Sequence, residues 1–217
     1  MSGSTRKYNS PRREREANRT QQDILRAARE LFIAQGYSRV TVSDIARAAG
    51  TAVKTVYVSV GGKSEVLHTL ITSDVAGSRA SETVAEVGRT TDLATAVGLL
   101  ARSTRENTER FETTIDLLHS TRNADDAAQQ TWERVLQEYR GALRGAAEHL
   151  VDIGGVAPHL DVDGVTDRLW FCFGLSAWRT LIDECGWTYD EAERWLGDQA
   201  VAMLGAPDPR TASRTPE

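Results

Sequence analysis

Cysteine is nearly absent. The 217 residues hold two, Cys172 and Cys185, too few for a disulfide-built framework and without a Cys-x-x-Cys pair. Both fall in one apparent helix, where a spacing of thirteen residues puts them about 20 Å apart, beyond the ~7 Å Cα separation a bridge tolerates. A reduced, cytoplasmic setting is therefore expected. Long apolar runs are also missing. The longest, Leu169 to Trp178, is about half of the ~20 residues that a membrane span needs. The basic N-terminus has no hydrophobic region behind it, so a signal peptide is not expected. No stretch sustains the alternating pattern of a strand. Ser-His-Asp arrangements and phosphate-binding glycine loops are lacking too, so no catalytic residues, metal or cofactor are expected.

Charge is plentiful and unevenly placed. Charged residues make up 26% of the chain and the net charge is −5. Residues 1–63 nevertheless carry 12 Lys and Arg against 5 Asp and Glu, a net +7, while residues 64–217 carry 14 against 26, a net −12. A basic module on an acidic body suits a polyanion met at one end only.

Along the chain, residues 1–18 are polar and basic, with Pro11 and no apolar periodicity, which predicts a disordered arm. Thr20 and Asp23 have capping-box spacing, and Ile24, Ala28, Leu31 and Phe32 then recur on one helical face. Gly36 stands where a left-handed residue would end that helix. Thr41 with Asp44 opens a short helix that stops at Gly50, a second short helix covers about Ala52 to Ser59, and a longer one starts at Lys63 after Gly61-Gly62. Further helices are expected over Asp92 to Ser120, with a break near Ser103 to Asn107, then Asp125 to Val151, Asp163 to Cys185, and Thr188 to Leu204. The last opens on a Thr188/Glu191 capping box. The fold class is all-α, with domains at 1–18 (arm), 19–63 (helix-turn-helix), 64–205 (larger helical domain) and 206–217 (Pro-rich tail).

Two short helices read DNA only if they cross at a fixed angle. That crossing needs a small residue where they meet, a left-handed turn residue, and a branched apolar anchor in the second helix. Ala46, Gly50 and Val56 supply these in order, with Ile45, Ala49, Ala52 and Val60 extending the buried face. Lys54 and Val58 then point away from Val56, flanked by Thr55 and Tyr57. A cation, a hydroxyl and a phenol on one exposed face suit phosphate and base-edge contact.

This stretch resembles the tetracycline-repressor (TetR) family of bacterial regulators. The resemblance runs through Ile24-Leu25, Ala27-Ala28, Leu31-Phe32, Gly36-Tyr37, Thr41-Val42, Ile45-Ala46, Ala49-Gly50, Thr55-Val56-Tyr57 and Lys63, over about residues 20–70. Ser59, Val60, Val53 and Thr51 depart from the family's commonest residues and bear on which bases are read. The resemblance implies that Thr41, Tyr57 and Lys63 hold phosphates. It implies also that Ser43, Lys54, Thr55 and Ser59 face the major groove of a double-stranded DNA operator, with Val53 or Val58 near a thymine methyl. It implies a homodimer through helices 163–185 and 188–204, since two readers must enter major grooves about 34 Å apart. The apolar stretch Leu169 to Trp178 suits a central or shared helix.

A reader of this size leaves about 150 residues over, more than dimerisation needs. A small, largely apolar effector that weakens DNA binding is expected in the larger domain, with Phe111, Ile115, His119, Trp132, Leu136, Tyr139, Trp170 and Phe173 as candidate pocket residues. The helix that opens at Lys63 is the expected transmitter. Two other readings stand beside the regulator. Glu65-x-x-His68 and Asp116-x-x-His119 suggest a di-metal helical bundle, and a helical adaptor could carry a DNA motif without function.

Overall fold

A computed structural model describes residues 11–205. Among them every regular element is helical: α1 (Pro11–Gln35), a single 3-10 turn (Tyr37–Arg39), α2 (Val42–Ala48), α3 (Val53–Ser59), α4 (Lys63–Ala76), α5 (Ala80–Val87), α6 (Leu93–Arg110), α7 (Glu112–Thr121), α8 (Asp126–Asp152), α9 (Val162–Phe173), α10 (Leu175–Arg179), a π turn (Thr180–Glu184) and α11 (Tyr189–Gly205). No helix among the described residues is long and apolar enough to cross a membrane.

The chain packs as two compact units, and their limits differ from the linear division at residues 63 and 64. The first holds residues up to Asp74 together with Asp116–Trp132; the second holds Val75–Ile115 and the chain from Glu133 onward. The first unit buries Ile24, Ala28, Phe32, Tyr37, Val40, Ile45, Val56, Leu67 and Ile71. Arg29 of α1 pairs with Asp74 near the end of α4 at 2.8 Å.

The helix α1 begins at Pro11, so residues 11–18 are helical where an arm was expected. They lack apolar periodicity, but proline suits a first helical position, and Arg12 pairs with Glu16 one turn on at 3.0 Å. Thr20 is accordingly no cap, and its hydroxyl donates to the Glu16 carbonyl. The remainder of the expected arm, residues 1–10, and the tail 206–217 lie outside the described residues.

The second unit is built around Val97, Leu100, Leu143, Ala146, Leu150, Leu169, Phe173, Trp178, Leu196 and Leu204. Helix α5 was not foreseen, and the α6–α7 break falls at Phe111 rather than at residues 103–107. The helix expected over 163–185 is also interrupted. Gly174 is extended (ψ 156°), and a Cβ there would lie 2.5 Å from the Trp170 carbonyl oxygen. The break frees the Phe173 carbonyl, which accepts a hydrogen bond from the Tyr139 hydroxyl at 2.5 Å. Cys172 and Cys185 thus fall on different elements. Both are free; Cys172 is buried, which pushes its thiol up to about 11, and Cys185 is exposed.

Buried carbonyls left without a donor cost about 1–3 kcal/mol, so Tyr139→Phe is expected to destabilise the chain by that amount in urea unfolding. Gly174→Ala should cost a similar ~1–3 kcal/mol through overpacking, whereas Gly141→Ala, with nothing within 4 Å of its added Cβ, should not destabilise. Equal midpoints for all three would contradict this packing.

Candidate nucleic-acid interface

The first unit places α2 and α3 as a helix-turn-helix. Helix α2 opens on a complete capping box: the Thr41 hydroxyl accepts from the Asp44 N–H, and the Asp44 carboxylate accepts from the Thr41 N–H at 3.1 Å and its hydroxyl at 2.6 Å. This satisfies donors that helix geometry leaves unpaired and sets the entry angle of α2. At the other end Gly50 takes φ +64°, a left-handed value that favours glycine. The Thr51 N–H then donates to the Ala46 carbonyl at 2.9 Å. Ala46 and Val56 are buried on either side of that turn, as the small-residue and anchor pattern requires.

With Val56 fully buried, α3 turns its other face outward. Val53, Lys54, Tyr57 and Val58 are all exposed, Val58 to 78% and Tyr57 to 56%, while Thr55 and Ser59 are partly covered. The exposed face is thus a row of two branched apolar residues, a cation and a phenol. It matches what a major groove offers, namely base edges, thymine methyls and flanking phosphates. Ser43 and Thr41 are exposed at the start of α2.

Lys63, the first residue of α4, is half-buried and held. Its Nζ donates to the Tyr37 carbonyl at 3.2 Å and lies 4.3 Å from the centre of the Tyr37 ring, a cation–π arrangement. Tyr37 itself is buried, 4% exposed, with its ring 5.2 Å from that of Phe32. Its hydroxyl donates to Asp125 at 3.0 Å. Burial first, and then Asp125, raise the phenol's pKa well above the ordinary tyrosine value. No feature of the sequence singled out Asp125 for this contact; only its place at the start of a helix was legible.

The structure brings the DNA-reading candidates Thr41, Ser43, Lys54, Thr55, Tyr57, Ser59 and Lys63 into one unit. The effector candidates are divided. His119 and Trp132 belong to the first unit, with ring centres 4.7 Å apart and edge to face. Phe111, Ile115, Leu136, Tyr139, Trp170 and Phe173 belong to the second. Tyr139 and Trp170 meet edge to face at 5.6 Å, Phe173 is fully buried, and Tyr139 is engaged at the helix break. Phe111, Ile115, Leu136 and Trp170 are partly exposed. Among the described residues no three His, Cys, Asp or Glu side chains converge as a metal-ligand set, so Glu65, His68, Asp116 and His119 do not form one.

Residues 24–70 match the model of the bacterial regulatory proteins of the tetR family. The HTH-type transcriptional regulator SrpR of Pseudomonas putida is 47% identical over 58 residues, 27% of this chain and 27% of its own length. The uncharacterized HTH-type transcriptional regulator TtgW, also of Pseudomonas putida, is 45% identical over 58 residues, 27% of this chain and 43% of its own length. The match therefore spans less than half of either curated relative. Whole-chain likeness is found among solved structures. The fatty acid degradation regulator FadR of Bacillus halodurans has a TM-score of 0.66 at 18% identity, over 92% of this chain and 98% of that one. FadR of Bacillus subtilis, solved in complex with stearoyl-CoA, has a TM-score of 0.69 at 16% identity, over 84% and 98%. At such identities the likeness shows the fold alone.

The capping box carries a pH signature. Hydrogen bonds from Thr41 hold the Asp44 carboxyl below its ordinary 3.8. Its folded value lies below its unfolded one, so the stabilisation is fully present above about 3.8 and is lost as pH falls through the lowered folded value. An NMR titration should find Asp44 ionising below the ordinary carboxylate range and rising toward it in Thr41→Ala, which keeps the backbone N–H and Arg47 but loses the hydroxyl; an ordinary value in the wild type would refute the box.

Proposed function

We propose that the chain, whose residues 24–70 match the model of the bacterial regulatory proteins of the tetR family, is a ligand-responsive transcriptional regulator. It binds an inverted-repeat operator as a homodimer, represses by occupying it, and is released by a small, largely apolar molecule. The reading makes it a cytoplasmic DNA-binding protein and not an enzyme.

The observation that carries this reading is the α3 face. The buried Val56 fixes the rotation of α3, and Val53, Lys54, Tyr57 and Val58 stand outward together. In the proposal Tyr57 and Lys63 take phosphates, with Thr41 beside them. Lys54, Thr55, Ser43 and Ser59 face base edges. Lys63 suits its role because the ammonium is already partly ordered by the Tyr37 carbonyl and ring, which lowers the entropy lost on binding.

Dimerisation is supported by two large apolar side chains that α9 and α11 leave exposed, Phe171 at 71% and Trp195 at 42%. The pairing surface is accordingly proposed on residues 163–185 and 188–204. For the effector, the partly exposed Phe111, Ile115, Leu136 and Trp170 are the stronger candidates of the second unit, because Phe173 and Tyr139 are committed to the core. The complex of the similar Bacillus subtilis FadR with stearoyl-CoA supports a ligand-binding role for this fold without naming the ligand here. Release requires that the effector favour a non-binding arrangement of the readers, a coupling of about 1–3 kcal/mol.

Binding to operator DNA across a salt series tests the reading. Lys63→Gln should weaken binding to all sequences alike and reduce the salt slope by about one for each phosphate no longer neutralised. Lys54→Ala should in addition relax preference at one base position in each half-site, by about 1–3 kcal/mol. Wild-type affinity and slope in Lys63→Gln would remove the phosphate assignment.

A further inference from the structure

We propose that Asp125 is a positioning residue for DNA binding, acting through Tyr37 on the ammonium of Lys63. The inference rests on the reading of Lys63 as a phosphate ligand and adds to it residues that lie far away in sequence. Three contacts form an unbroken chain. The two carboxylate oxygens of Asp125 do different work: Oδ1 accepts the Ala128 N–H at 2.8 Å and so caps α8, while Oδ2 accepts the Tyr37 hydroxyl at 3.0 Å. Capping fixes the carboxylate's orientation, because a side chain bonded to its own helix terminus has one rotamer that serves. The segment around Asp125 is anchored on both sides as well, by the edge-to-face pair of His119 and Trp132 and by Arg122, whose guanidinium lies 5.3 Å from the Trp132 ring centre. Asp125 is exposed, so its cap and these neighbours are what orient its carboxylate toward the hydroxyl of the buried Tyr37.

Tyr37 then acts on Lys63 with its other two polar features. Its carbonyl accepts from Nζ at 3.2 Å, and its ring face lies 4.3 Å from that nitrogen. A lysine side chain is long and flexible, and an ammonium held at one place before DNA arrives loses less freedom on meeting a phosphate. Removing the Tyr37–Asp125 bond lets the ring rotate and tilt within its pocket, and the platform under Lys63 loses its register. The second unit takes no part in these contacts.

Full-length protein and a mixed-sequence DNA duplex test this, since a phosphate contact operates on any sequence. Asp125→Ser keeps an oxygen that caps α8 and is too short to reach Tyr37; Tyr37→Phe keeps ring and carbonyl and removes the hydroxyl. Each is expected to weaken binding about three- to tenfold, and the double variant no further. In a Lys63→Gln background both are expected to be silent, a result that a merely structural role would not produce. Helix content by circular dichroism establishes that each variant is folded. Wild-type affinity in either single variant would overturn the proposal, as would the same loss persisting in the Lys63→Gln background. If Lys63→Gln by itself changes nothing, the phosphate reading falls and this inference falls with it. If Lys63→Gln weakens binding while Asp125→Ser does not, only the positioning role is lost.

Discussion

Tyr37 is buried with three chemically different parts engaged at once. Its ring lies against Phe32 of α1, its carbonyl and ring face take the ammonium of Lys63 at the start of α4, and its hydroxyl reaches Asp125 at the start of α8. A phenol carried into a core must find an acceptor or leave a polar group unpaired, and Asp125 is that acceptor. The 3-10 turn that carries Tyr37 ends one residue short of Thr41, the cap of α2. From there the geometry is local. The capping box aims α2, Gly50 turns the chain, and Val56 fixes the rotation of α3. The outward face of α3 follows from that rotation rather than from any preference of its exposed residues.

The outward face is marked by its combination of side chains and not by its exposed apolar area. Val53 and Val58 are branched apolar side chains in water on a seven-residue helix, and single exposed apolar residues are ordinary on protein surfaces. What distinguishes this face is the company they keep, with Lys54 and Tyr57 beside them and Lys63 held nearby in the same unit. In the proposed reading the net +7 of residues 1–63 draws the chain to a polyanion and the α3 face makes the contact. In that reading the acidic remainder, a net −12, disfavours adhesion elsewhere on the chain.

Local signals were legible in the sequence, and contacts across it were not. Thr41 with Asp44, Gly50, Val56 and the Thr188/Glu191 box could be read directly, because each acts within a few residues of itself. The helical start of α1 escaped because residues 11–18 have no apolar face, and periodicity sees only faces. The break at Gly174 escaped because an apolar run around a glycine looks like a buried helix; the partner of the freed Phe173 carbonyl, the Tyr139 hydroxyl, lies 34 residues away. The effector candidates were drawn from aromatic, aliphatic and polar residues of the intervening helices, and packing then divided them between two units. Asp125 carried only the mark of a helix start, since its bond to Tyr37 spans 88 residues.

The proposed role of the α3 face is to read DNA as part of a dimeric regulator. Its most direct test is to isolate the genomic fragments the protein retains, identify a shared inverted repeat, and titrate that duplex with full-length protein at several salt concentrations while measuring the mass of the complex. A dimeric reader places two protomers or a multiple of two on each site, with log affinity falling linearly with log salt concentration, and prefers the repeat over a scrambled duplex by a margin that Lys54→Ala reduces. One protomer per site, or binding indifferent to both salt and sequence, would contradict it.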